Sequence, residues 1–257
     1  MCLQLDYVLQ KLDISNIDMI GVLYFMSLSK ERVLEEFKSV PPNTLIFASK
    51  LYREKFSKEI SETAFAQIVS RLYRNKEIER LSKGVYYCPL KTRFGSILPS
   101  DKEIISTFTE QNSGMVVGYG LYNSLSVTTQ ISKRQIAYSS VIDEKKKSIR
   151  DIIIYKHDLT YTTEIKAVIV MLELLNNYRD IQEINHYAFL NSLQSFSKHY
   201  SDEVFEKIQK TICYPKRSIA FLREVLNYYG ISNHLANYLS EFSDYQIPNM
   251  EELYEIT

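Results

Sequence analysis

The 257-residue sequence predicts an α+β protein. Three observations carry that expectation. Three stretches of helical period lie between Leu28 and Lys76, and two short β-prone runs follow them around Ser82-Lys83-Gly84. A second β-rich stretch holds "RQIAYSSV" and "SIRDIIIYKHD". After "TYTT" the chain reads as helical almost to its end.

The first helix is expected in "LSKERVLEEFKSV", where Val33, Leu34 and Phe37 share one face, Ser29 caps the start and "PPN" stops it. A second helix begins near Ala48, and "SKEIS" makes the turn that follows. The third helix, "SETAFAQIVSRLYRNK", has Ser61 as its N-cap and Glu62 in a first turn that favours acids. Phe65, Ile68, Val69 and Leu72 fall on one face of it, with Thr63, Gln67, Ser70 and Arg74 opposite and Arg71 at the edge. The runs "EIERL" and "VYYC" then form a hairpin across Ser82-Lys83-Gly84. Helix, helix, helix and hairpin is the order of a winged helix-turn-helix, expected over residues 28–89. Residues 90–257 are expected to form a mixed α/β, mostly helical domain.

In that second region "FGSILPSDKEIISTFTEQ" predicts a turn and then a helix capped by Ser100 or Asp101. "GMVVGYGLYNSLSV" predicts a short strand and a helix opened by glycines. The two β-prone runs around "IDEKKKS" predict an exposed hairpin. Helices are expected over residues 164–177, 181–197, 203–213, 215–229 and 233–242. Past Arg223 there is no Lys or Arg, and Glu241, Asp244, Glu251, Glu252 and Glu255 leave the tail acidic.

Charge separates the two regions. Lys+Arg and Asp+Glu are 31 each over the whole chain. From Thr44 to Arg93, however, eleven Lys/Arg face five Asp/Glu, a balance of +6. A local basic surface is what phosphate contact requires, since neutralised phosphates release counterions. Thr63, Gln67, Ser70, Arg71 and Arg74 are residue types that meet base edges or phosphates in the major groove, and Lys58 and Lys83 supply phosphate contacts. The same pattern also fits a winged module that docks on protein.

The three cysteines, Cys2, Cys88 and Cys213, lie far apart, without metal-ligand or disulfide-framework spacing. The four histidines are equally scattered. No metal or cofactor site is therefore expected. No signal peptide is visible, and the longest apolar runs are shorter than the ~20 residues of a membrane span. A cytoplasmic protein is expected. P-loop, GxSxG, HExxH and dinucleotide fingerprints are absent. Asp151 with Glu164-Ile165-Lys166 faintly resembles the acid pair and lysine of restriction-type nucleases, but Glu164 reads as the first turn of a helix, whereas that chemistry places it on a strand.

"AFAQIVSRLYRNKEIERLSKGVYYCP", then "RFGSILPSDKEI" and "GYGLYNSLSVTTQ" in that order, resemble the AbiEi-type antitoxins of abortive-infection toxin–antitoxin systems. The resemblance covers about residues 27–229. It implies a winged domain that binds operator repeats in its own promoter and represses the operon. It further implies a C-terminal domain that counters a nucleotidyltransferase-like toxin, and no enzymatic activity. The expected partners are operator DNA and that toxin, with no membrane, and operator repeats favour two copies on DNA. The resemblance starts only near "MSLSKERVLEEF". Residues 1–27 are thus an extension, either with Met26 as the native start or with a real helix in "LQLDYVLQKL".

Overall fold

Val33 and Phe37 stand four positions apart and are fully buried on one face of a helix over residues 28–38 (α1) in the computed structural model, which describes residues 28–240 and 243–256. The expectations for residues 1–27, and Glu241 of the acidic tail, lie outside the described residues. Ser29 lies within α1, which already includes Leu28, so it is not the cap that the sequence suggests. Pro41 and Pro42 follow its end, where proline lacks the N–H that a further turn would need.

A two-residue strand, Ile46–Phe47 (β1), leads into Ala48–Leu51 (α2), which widens into one π turn over Tyr52–Phe56. Helix α3 spans Glu62–Arg74, and the Ser61 hydroxyl accepts the Ala64 N–H at 3.2 Å, as its capping position predicts. Strands Glu79–Ser82 (β2) and Val85–Tyr87 (β3) are antiparallel and complete a three-stranded sheet in the order β1-β3-β2. Gly84 turns the hairpin at φ +75°, a conformation that other residues adopt only with strain. The core beneath α1, α2 and α3 holds Phe56, Phe65, Ile68, Leu72 and Ile78, with the Phe56 and Phe65 rings 5.5 Å apart. Where the sequence suggests only a turn, Leu90–Thr92 (β4) and Gly95–Ile97 (β5) form a two-stranded ribbon, and every residue from Leu90 to Leu98 is exposed.

The chain divides into two compact units between Ser100 and Asp101. The second is a four-stranded sheet with helices. Asp101–Thr109 (α4) precedes Gly114–Val117 (β6), and Tyr119–Ser124 (α5) precedes Gln135–Ser139 (β7). The expected hairpin between the two β-prone runs does not form. "SIRDIIIYKHD" instead bends on itself at Arg150-Asp151, giving Lys146–Ile149 (β8) and Ile152–Lys156 (β9). Strand β9 then pairs in parallel with β7, and the sheet order is β6-β7-β9-β8. Strand β9 is nearly all apolar, yet its burial alternates: Ile152 and Ile154 are buried, and Ile153 and Tyr155 are half-buried.

Thr163–Asn176 (α6) is buried at Ile165 and at every residue from Ala167 to Leu175. A helix that is apolar all round is a core helix. His186–Ser197 (α7) starts five residues later than the apolar period suggests, because the Asn185 side chain caps it through the Ala188 N–H at 3.1 Å. Asp202–Thr211 (α8) and Lys216–Tyr228 (α9) fall where expected. The helix expected over 233–242 is only a 3-10 turn, Leu235–Tyr238, and Met250–Glu255 forms α10.

Candidate functional site

Helix α3 is held on one side and open on the other. Phe65, Ile68, Val69 and Leu72 are buried in the core of the first unit. Thr63, Gln67, Arg71 and Arg74 are exposed, and Ser70 is half-buried. The Arg74 Nε reaches the Ser70 carbonyl at 3.5 Å, a long contact that leaves the guanidinium ends outside it.

Several cations near α3 form ion pairs. Lys30 pairs with Glu77 at 2.7 Å, Arg32 with Glu59, and Lys55 with Glu36 at 3.6 Å. Among the described residues neither Arg71 nor Arg74 takes part in an ion pair. Lys58 is exposed in the turn before α3, and Lys83 is exposed at the tip of the β2–β3 hairpin. The sequence-predicted residues thus occupy one helix face, its preceding turn and the hairpin tip. The β4–β5 ribbon adds Lys91 and Arg93, whose guanidinium lies 4.7 Å over the Phe94 ring. Runs of three residues are too short for their alternation to be read in advance, which is why the ribbon was not expected.

Asp151 and Glu164 are not brought together. Asp151 sits before β9, where its carbonyl accepts the Gln135 N–H. The chain after β9 is pinned at the opposite end of the sheet, because Tyr161 donates its N–H to the Asn112 carbonyl at 2.9 Å. Five strand residues, roughly 16 Å, lie between those ends. Glu164 occupies the first turn of α6, where the Thr162 hydroxyl and backbone N–H groups hold its carboxyl below the usual range. Among the described residues no group of three His, Cys, Asp or Glu is placed to hold a metal ion.

One buried ionisable group escaped the sequence reading. Glu173 lies within the apolar run of α6 and is 5% exposed. Burial pushes its carboxyl up, and the Tyr214 and Tyr138 hydroxyls that donate to Oε1, at 2.6 and 2.8 Å, pull it down. Its only sequence signal is an acid at a position where the helical period calls for an apolar residue.

Among the described residues no helix is long and apolar enough to cross a membrane. No protein-family model matches the chain. No curated protein matches it either. Among solved structures it is similar to the crystal structure of the RV2827C protein from Mycobacterium tuberculosis, with 10% identity, a TM-score of 0.38, and 78% of this chain and 77% of that one covered. A likeness of that degree carries no argument about fold or function.

Proposed function

We propose that the first unit is a winged helix-turn-helix that binds DNA, with α3 in the major groove and the β2–β3 hairpin as its wing. One observation carries the reading: Arg71 and Arg74 are exposed and, among the described residues, form no ion pair, on a helix whose opposite face is buried in a core. A rigid helix presenting Thr63, Gln67, Ser70, Arg71 and Arg74 suits base edges, and Lys58 and Lys83 flank it for phosphates. In the wider reading the protein is the antitoxin and autorepressor of a toxin–antitoxin operon. Its second unit opposes a nucleotidyltransferase-like toxin, and the chain itself is not an enzyme. The resemblance in "AFAQIVSRLYRNKEIERLSKGVYYCP" supports this wider reading.

A second reading, a module that docks on protein, draws on the exposed apolar side chains of the ribbon, Leu90, Phe94, Ile97 and Leu98. The experiment is a titration of a labelled fragment of the gene's own upstream region, with unrelated DNA as control, at two salt concentrations. Tight, selective, salt-sensitive binding that Arg71→Ala with Arg74→Ala abolishes supports the repressor. Equal binding to both DNAs, or retention by the double variant, favours the docking module.

A further inference from the structure

A cavity of about 460 Å³ opens in the second unit between β7, α5, α6 and the segment before α9. That is within the range of small-molecule sites, roughly 300–1,000 Å³. Tyrosine dominates its wall: Tyr119, Tyr122, Tyr138, Tyr155 and Tyr214 all line it. Glu173 forms part of the same wall.

The two oxygens of Glu173 differ. Oε1 accepts two tyrosine hydroxyls, from Tyr138 and Tyr214, which occupies both of its lone-pair directions. Oε2 has no protein partner among the described residues, and Glu173 lines the cavity. Two of the other tyrosines are committed elsewhere: Tyr122 donates to the Glu173 main-chain carbonyl at 3.3 Å, and Tyr119 donates to the Asp180 carbonyl at 3.1 Å. Arg134 also lines the cavity but forms no ion pair among the described residues. Burial makes the charged form of Glu173 costly, and a cation seated at Oε2 would offset that cost.

The geometry selects the kind of cation. A guanidinium fork, or the paired donors of a nucleobase edge, needs two acceptors side by side, and only one oxygen is left. An ammonium is a point charge that one oxygen satisfies. Tyrosine rings in the wall add cation–π attraction for an ammonium that meets their faces. Asp180 adds a second carboxylate to the same wall, which favours a second ammonium.

We propose that this cavity binds a small aliphatic primary amine, its ammonium group meeting Glu173 Oε2 between tyrosine rings. The chemistry is shared by free diamines and by a lysine side chain. Calorimetric titration of the full-length protein with n-butylamine, putrescine, guanidine and 1-butanol tests it. Butylamine should bind at least about tenfold more tightly than the neutral, similarly sized butanol and more tightly than guanidine, with putrescine tighter still. Glu173→Gln keeps an acceptor for the two tyrosines and should lose on the order of tenfold or more in affinity for butylamine. A blocked lysine, Nα-acetyl-lysine N-methylamide, identifies the source: tighter binding than putrescine supports a protein side chain, and weaker binding supports a free amine. No heat from any amine at low-millimolar concentration overturns the proposal. Equal binding of butanol and butylamine, or unchanged affinity in a folded Glu173→Gln protein, also overturns it.

Discussion

The Asn43 side-chain carbonyl accepts the Leu90 N–H at 3.2 Å, so a residue between α1 and β1 holds the start of the β4–β5 ribbon. Asn43 is nearly buried and left-handed, at φ +65°, and its own N–H reaches the Cys88 carbonyl at 2.8 Å. Asn43→Ala loses the acceptor and keeps a Cβ in a strained backbone. A loss of roughly 1–3 kcal/mol in urea unfolding is expected. Asn43→Gly relieves the backbone and should lose less, and faster hydrogen exchange at Leu90 should accompany both.

Arginine and glutamine on α3 are expected to fail differently. Arg71→Ala, if the side chain meets a phosphate, weakens binding to every DNA alike and lowers the salt slope by about 1. Gln67→Ala, if it meets a base edge, relaxes selectivity at one position by roughly 1–3 kcal/mol and leaves the slope intact. Salt-dependent titration of operator and mismatched fragments separates the two outcomes.

Gly114 allows no side chain. A Cβ there would lie 2.2 Å from the Tyr138 carbonyl oxygen and 2.4 Å from that of Phe108, and both are backbone atoms. Gly114→Ala should cost at least about 3 kcal/mol, visible as a large drop in midpoint or as loss of soluble protein.

Glu173 makes stability depend on pH. Burial raises its carboxyl in the folded state, so its contribution is fully present below the unfolded carboxylate pKa and is lost as pH rises through the folded value. The groups around it are the Tyr122, Tyr138 and Tyr214 hydroxyls, with Arg134 and Asp180 along the cavity and His157 against the Tyr138 ring. Glu173→Gln removes the titration. The variant should melt above the wild type at pH 8, and the advantage should vanish near pH 4. A constant difference across that span would place the effect in packing instead.

The legible parts of the fold were those with a strong local signal. On α3 a single periodic face, a serine cap and an acid in the first turn agree, and the structure has each of them. The Lys83-Gly84 turn is legible for the same reason, since glycine supplies the positive φ. What was misread depends on pairing. Nothing local in "RQIAYSSV" says that it pairs with Ile152–Lys156 in parallel; that pairing is decided by tertiary burial, which takes in Ile152 and Ile154. At the candidate site, charge and helix face were readable, because exposure follows from period. Glu173 was not, because its partners Tyr138 and Tyr214 lie 35 and 41 residues away.

The order β6-β7-β9-β8 also has a temporal meaning. During synthesis β6 and β7 emerge first, and β8 leaves the ribosome before the strand that must join it to them. Until Ile152–Lys156 appears, β7 offers an unpaired edge and β8 has no neighbour. The last strand made is the keystone, closing two open edges at once. The sheet is therefore completed in one step, before the helices from Thr163 onward are made, and chains interrupted shortly before Ile152 are the ones most exposed to pairing with a foreign strand.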